Sequence, residues 1–437
     1  MGRCAVKESM EKAKVVLWLI LMLCSFSVEA ISRIKNIRYE GNHVTQVSVL
    51  EREVYVKQGD IVDATMLEKS RQGIMNLGLF KTVKVYLEEG YVESETSYED
   101  ANKETLVDVV FVVEEKYYLL IVPRARSDDD ELHLGVQMRW NNVWGLNHEM
   151  RLLFENRGDT QGITEKRNRL KYSYPNINNS VYSLGLSLQT LNDVDEVNGV
   201  INRQDDIYQI SISRWLNEQG RNRGWFAGGS VRYQQRFNEV VSGTLLSDNI
   251  EAVVLGFDGG FSDVNNYEFN RGGKSYGYLL DWSHESIGSE DEFTRHLLYY
   301  RSYYRFHKAP LSNLNVQTKL GHSNNNILGK SAFSLGSSDD LRGYENDRFN
   351  GNSLFLMNIE YMFPQKNYPV IRYVYFVDMG STADKIEDLF HQPVNVGAGL
   401  GLRWKIRALV NIDLRADIGY GFTDNDYRFS FGTRHAF

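Results

Sequence analysis

Cysteine is nearly absent: among 437 residues there are two, Cys4 and Cys24, both within the first thirty positions. Lys7, Lys12 and Lys14 precede the apolar stretch Val15 to Phe26, and Val28-Glu29-Ala30 then sets small residues around a cleavage position. That plan predicts a secretory signal peptide over residues 1–30, cut after Ala30, because the apolar stretch is short for a membrane span. Its removal leaves a mature chain without thiols, which excludes disulfides, cysteine-based zinc sites and cysteine nucleophiles. Positive charge is also in deficit. Lys and Arg number 49 against 57 Asp and Glu, and no basic cluster interrupts the balance, so nucleic acid is not an expected partner. Long apolar runs are missing beyond the N-terminus, and a mean hydropathy of −0.41 excludes a bundle of membrane helices. There is no phosphate-binding loop. Gly397-Ala398-Gly399-Leu400-Gly401 lies within an alternating strand and opens no helix. The nine histidines show no metal-ligand spacing, so no metal, no cofactor and no catalytic residue is expected, nor an enzyme. What is present, 42% hydrophobic and 12% aromatic residues, excludes disorder and leaves a large soluble β-protein or a membrane barrel.

Residues 31–116 carry a short mixed pattern. Ile34 to Glu40 reads as a strand closed by Gly41-Asn42, and Thr45 is placed to cap a helix bearing Leu50 and Val54. Asp63 is placed to cap a second helix with Leu67, Ile74 and Leu77 on one stripe. The alternating segment Lys81 to Leu87, an acidic loop from Glu88 to Glu104 and a strand from Thr105 to Val113 follow.

From Tyr117 the period is two. In Val410, Ile412, Leu414, Ala416, Ile418, Tyr420 and Phe422 every apolar residue faces one way. Asn411, Asp413, Arg415, Asp417, Gly419 and Gly421 face the other. Strands of a soluble sandwich average about five or six residues. These are about twice as long, the length that crosses a bilayer at a tilt with lipid outside and a polar lumen inside. Sixteen such segments fit between 117 and 437, an even number, as bacterial single-chain barrels require. Trp140, Trp144, Trp215, Trp225, Trp282 and Trp404 lie near strand ends, as in interfacial girdles. Five of the six prolines fall at strand ends or turns; Pro123 lies within the first strand, where it removes a ladder donor. Asp128-Asp129-Asp130 and Asp339-Asp340 read as solvated turns.

Three motifs stand in order. Leu341-Arg342-Gly343-Tyr344 occupies a long connection at about 323–352. The strand with Asn358-Ile359-Glu360-Tyr361 follows it, and then Phe376-Val377-Asp378-Met379-Gly380. Together with the strand–helix–helix–strand–strand order of 31–116, which resembles a POTRA domain, the chain resembles the BamA/TamA superfamily of outer-membrane assembly and transport barrels over residues 31–437. The resemblance implies a mainly β fold: a sixteen-stranded antiparallel transmembrane β-barrel (117–437) preceded by one small α/β POTRA domain in the periplasm. It also implies a loop folded back into the lumen and location in the bacterial outer membrane. Alternation sets Glu360 and Asp378 on luminal faces, so Arg342 would enter as a fork between two carboxylates, with Gly343 and Tyr344 beside it. The function implied is assembly: the POTRA edge receives extended polypeptides by strand addition, and the barrel promotes their insertion or passage without ATP. A two-partner-type secretion pore and a passive channel or surface antigen are the alternatives. The implied partners are the lipid bilayer, lipopolysaccharide, unfolded outer-membrane or secreted clients, and periplasmic chaperones or accessory proteins. Pro123 and Gly432 weaken the first and last strands, and the chain ends on an aromatic, Phe437; these three mark an expected gate seam. One POTRA domain, and no proline after Gly401-Leu402-Arg403-Trp404, point to a short paralogue.

Overall fold

A computed structural model describes residues 32–89, 105–128, 131–159, 162–195, 199–218, 220–243, 249–410 and 413–432. The expected signal peptide, most of the acidic loop and Phe437 lie outside the described residues.

The N-terminal unit comprises β1 (Ser32–Glu40), α1 (Val47–Glu51), α2 (Ala64–Asn76), β2 (Phe80–Glu89) and β3 (Thr105–Glu115). The three strands form a sheet in the order β1-β3-β2, with β1 and β3 parallel and β2 antiparallel to β3. Asp63 caps α2 as its sequence suggests, its carboxylate accepting from the backbone N–H of Thr65 and Met66. Ile34, Leu50, Leu67, Ile74, Phe80, Val109 and Phe111 are buried together between helices and sheet. Each such side chain contributes roughly 1.5–3 kcal/mol to the module. Thr45 departs from the expectation. The residue flanking α1 is Gln46, with no side-chain cap, and α1 ends before Val54. The Thr45 side chain is buried instead and hydrogen-bonds Glu115, Tyr118 and Asn142. It ties the module to the barrel rather than starting a helix.

Sixteen of the remaining eighteen strands form one antiparallel sheet. Its first half is β4 (Leu119–Asp128), β5 (Glu131–Val143), β6 (His148–Asp159), β7 (Gly162–Tyr174), β8 (Tyr182–Asp195), β9 (Gly199–Trp215), β10 (Gly224–Gly243) and β11 (Ile250–Asn266). Then come β12 (Arg271–Ser283), β13 (Phe293–Phe306), β14 (Ala309–Ser323), β17 (Ser353–Pro364), β18 (Ile371–Ala383), β19 (Asn395–Lys405), β20 (Asp413–Gly421) and β21 (Asp426–Gly432). Between β14 and β17 a small hairpin, β15 (Phe333–Leu335) with β16 (Phe349–Gly351), stands apart from the sheet. Arg139 of β5, Arg301 of β13 and Arg372 of β18 line one cavity, so the sheet curls round an interior. Its two faces differ as alternation requires. Ile210, Ile212 and Val231 are about half exposed on the outside, whereas Gln317, Asn358 and Arg403 are almost wholly buried inside. Val410 does not join the lipid face. It sits in the turn before β20 and packs into the core of the N-terminal unit.

Two turns and the last residues of β11, at one end of the sheet, hold that unit in place. Gln46 N–H donates to Gly145 O at 2.9 Å and its side chain to Trp144 O at 3.1 Å. Arg221 donates to Arg52 O and Val54 O at 2.7 and 2.8 Å, and its guanidinium lies 3.7 Å from the Tyr55 ring. Asn76 at the end of α2 exchanges hydrogen bonds with Asn265 and Asn266. The module therefore seats across one mouth of the sheet.

Candidate functional site

The segment from Asn324 to Asn352 leaves β14 and turns into the interior. Asp340 shapes its tip: one carboxylate oxygen accepts from the Gly336 N–H at 3.0 Å and from the Leu341 N–H. Asp340 is thus a half-buried turn staple, not the solvated turn its sequence suggests. Leu341 and Tyr344 then pack with Leu335, Leu354 and Leu356 in a small apolar cluster. This anchors the tip hydrophobically on either side of Arg342.

Arg342 is 2% exposed. Its Nε and Nη2 donate to the two oxygens of Asp378 on β18 at 2.6 and 2.8 Å, a bidentate fork. Nη1 donates to Glu360 Oε1 on β17 at 2.6 Å, and the guanidinium lies 3.6 Å from the Phe376 ring centre. Asn358 donates to Asp378 Oδ1 at 2.8 Å and to Asp340 O at 2.6 Å, linking wall and loop a second time. The structure therefore brings Arg342, Glu360 and Asp378 together.

Three further residues join them that sequence reasoning did not single out for this site. Arg403 of β19 donates to Glu360 Oε1 at 3.1 Å and to both oxygens of Asp417 on β20. Arg415 of β20 lies 3.5 Å from Asp417, and Arg342 Nη1 lies 3.7 Å from it. Three guanidiniums thus face three carboxylates, a charge balance that makes burial tolerable. The available signal was the luminal position of Arg415 and Asp417 in the alternation of β20.

Glycine sets the approach of the backbones. Gly343 has φ +94°, and a Cβ there would lie 2.7 Å from Gly421 N and Tyr420 C. On the wall, a Cβ at Gly397 would lie 2.0 Å from Arg342 O and one at Gly421 2.4 Å from Gly343 O. The glycines of β19 and β20 form a trough for the loop tip. The Tyr344 hydroxyl completes the contact, donating to Val396 O at 2.6 Å.

The seam residues fall elsewhere. Pro123 stands opposite Val136 within β4, and Gly432 opposite Arg415 at the end of β21. β4 and β21 are the two ends of the sheet order, and among the described residues no ladder joins them. Beside them Tyr117 makes a single parallel bridge to Leu409.

A POTRA-like module seated on a sixteen-stranded antiparallel sheet with a loop pinned inside defines an outer-membrane barrel of the assembly and transport class. Residues 122–437 match the Omp85 superfamily domain, and residues 32–116 match POTRA, the surface antigen variable number repeat. The chain belongs to the Omp85 superfamily, whose β-barrels are outer-membrane proteins with periplasmic POTRA domains. No curated protein matches it by sequence. Among solved structures it is similar to CdiB from Escherichia coli, at 13% identity and a TM-score of 0.62, covering 93% of this chain and 75% of that one. It is also similar to CdiB from Acinetobacter baumannii, at 15% and 0.58, covering 92% and 73%. A third is BamA from Haemophilus ducreyi lacking POTRA domains 1–3, at 16% and 0.52, covering 91% and 83%.

Proposed function

We propose that the protein is an outer-membrane assembly factor that takes extended polypeptides from the periplasm and promotes their insertion into the membrane without ATP. The observation that carries this reading is the pairing of a loop locked inside the barrel with a seam at β4 and β21. A barrel whose interior is plugged by a buried ion network must move clients along its wall, and the seam is where edge backbone groups can template another strand. β2 is the receiving edge. The outer edge of β1 is already occupied, since Ile34 and Val62 donate to Asp60 O and Ser32 O, and Gly59 donates to Ile34 O. The outer edge of β2 has no strand beside it among the described residues, so a client strand can extend the sheet there. The lock of Arg342, Gly343, Tyr344, Glu360 and Asp378 would keep the wall rigid while Pro123 and Gly432 keep the seam loose. The clients are unfolded outer-membrane polypeptides, handed over by periplasmic chaperones or accessory proteins, and the rim meets lipopolysaccharide.

The second reading is export of a dedicated polypeptide through the lumen, the two-partner mode, and the likeness to the CdiB structures favours it. It requires release of the Arg342 lock, which insertion at the seam does not. Depletion of the protein followed by proteomics of outer membranes and culture supernatant tests both. Loss of many barrel proteins from the membrane supports insertion. Loss of one secreted protein alone refutes it in favour of export, and an unchanged proteome with lost conductance leaves a passive channel.

A further inference from the structure

The interior sorts its charges. Three luminal carboxylates are taken up at the lock, and the space below it is strongly basic. Where the N-terminal module meets the barrel, a cavity of about 490 Å³ is lined by nine lysines and arginines and by two carboxylates, Glu268 and Asp413. The module supplies Lys81 and Lys116; the barrel supplies the rest, Arg271 and Lys405 among them. Three of the nine cations are already paired, Arg407 with Glu268 at 2.6 Å, Lys81 with Glu114 at 2.9 Å and Arg151 with Glu149, which leaves the cations in excess. A second cavity of about 500 Å³ shares Arg139 and Arg151 with the first and holds seven basic against four acidic side chains. Its lining includes Phe431 and Gly432, at the end of β21. The two spaces therefore form one track along the luminal faces of β5, β6 and β7, from the module to the seam.

Like charges crowded in a partly enclosed space repel one another more strongly than on an open surface. Lys116, between module and barrel, has its amine pushed down to about 8, first by burial and then by Lys405, with Asp413 opposing. A multivalent anion would relieve the repulsion and be drawn in by the field of the track. We propose that this track binds acidic stretches of extended polypeptide, several carboxylates engaging successive cations between the module and the seam. An elongated track suits a row of charges better than a single phosphate, which would meet only its nearest cations. The inference rests on the functional reading above in one respect: that reading brings an extended client to the module and to the seam, the two ends of the track.

The test is direct binding of a fluorescein-labelled hexa-aspartate peptide to the full-length protein in detergent micelles, read by fluorescence anisotropy. Saturable binding is expected, with none for hexa-lysine. The double variant Arg139→Gln/Lys405→Gln should weaken it at least tenfold while keeping the barrel's heat-modifiable gel migration. The variant Lys57→Gln/Lys366→Gln, which removes the same charge from exposed positions, should bind as wild type. Hexa-aspartate binding unchanged in the luminal variant, or equally weakened in the surface variant, overturns the proposal. Full displacement by millimolar inorganic phosphate also overturns it, in favour of a simple anion site. The measurement uses no insertion or secretion assay, so its failure is distinct from failure of the functional reading.

Discussion

Replacing Arg342 by alanine leaves Asp378, a fully buried carboxylate, with the Asn358 amide as its remaining side-chain donor among the described residues. Glu360 keeps Arg403 at 3.1 Å. The loss is therefore concentrated on Asp378. Removing one partner of a buried ion pair costs about 3–5 kcal/mol, because the charge left behind stays desolvated. The upper part of that range applies here, since Arg342 and Asp378 are at most 2% exposed. At 1.4 kcal/mol per decade, about 4–5 kcal/mol shifts the equilibrium between inserted and released loop by roughly several hundred- to a few-thousand-fold. Urea unfolding in lipid vesicles, followed by tryptophan fluorescence, reads the stability. Protease cleavage within 324–352 reads the loop. Asp378→Asn removes the charge that Arg342→Ala strands, so the double variant should lose less than the sum of the two single losses, with a coupling of about 1.5–3 kcal/mol. Glu360→Gln should cost less than Asp378→Asn, because Arg403 retains both oxygens of Asp417. Additivity of Arg342→Ala and Asp378→Asn to within about 0.5 kcal/mol would refute the lock.

Gly343→Ala should release the loop about as effectively as Arg342→Ala, because φ is +94° and the added methyl meets Gly421 at 2.7 Å; loop proteolysis checks it. A disulfide between Leu119→Cys and Phe431→Cys should abolish activity when oxidised and restore it on reduction, while heat-modifiable migration stays intact; full activity in the oxidised form removes the seam from the mechanism. Arg221→Ala removes two hydrogen bonds to backbone carbonyls and the stacking on Tyr55, and should loosen the module's seat by about 2–4 kcal/mol, seen as faster protease release of residues 32–116. Lys116 is depressed from an ordinary value of 10.5 to about 8 when the module is seated, so the seated state binds fewer protons. Seating should then be strongest above about pH 10.5, weaken as pH falls from there to about 8 and level off below it, and Lys116→Met should flatten that profile.

Much of the fold was legible because period-two alternation is long and unbroken. Gly419 and Gly421 alternate with Ile418 and Tyr420 in sequence, and the former pair lines the interior. Sixteen strands and a two-helix, three-stranded module follow from such patterns and from the Asp63 cap. Within the site, alternation told that Glu360 and Asp378 face inward, and the loop motif supplied a cation to meet them. Alternation cannot tell which luminal groups meet across the interior, because that depends on register and curl. Arg403 and Asp417, fourteen positions apart, become partners only when β19 and β20 pair in the observed register. Contacts between module and barrel were illegible for a similar reason. Thr45, Val410 and Arg221 lie in turns whose paths are set by tertiary packing, so Thr45 reads as a cap and Val410 as a lipid-facing residue until the two parts are assembled.

The most direct measurement is folding of a urea-unfolded outer-membrane barrel client into liposomes containing the purified protein, in buffer without nucleotide. Client folding is expected to accelerate well above the rate in empty liposomes, and the acceleration to be lost on oxidation of the 119–431 cysteine pair. Equal rates in empty and protein-containing liposomes, or undiminished acceleration with the seam closed, would contradict the account.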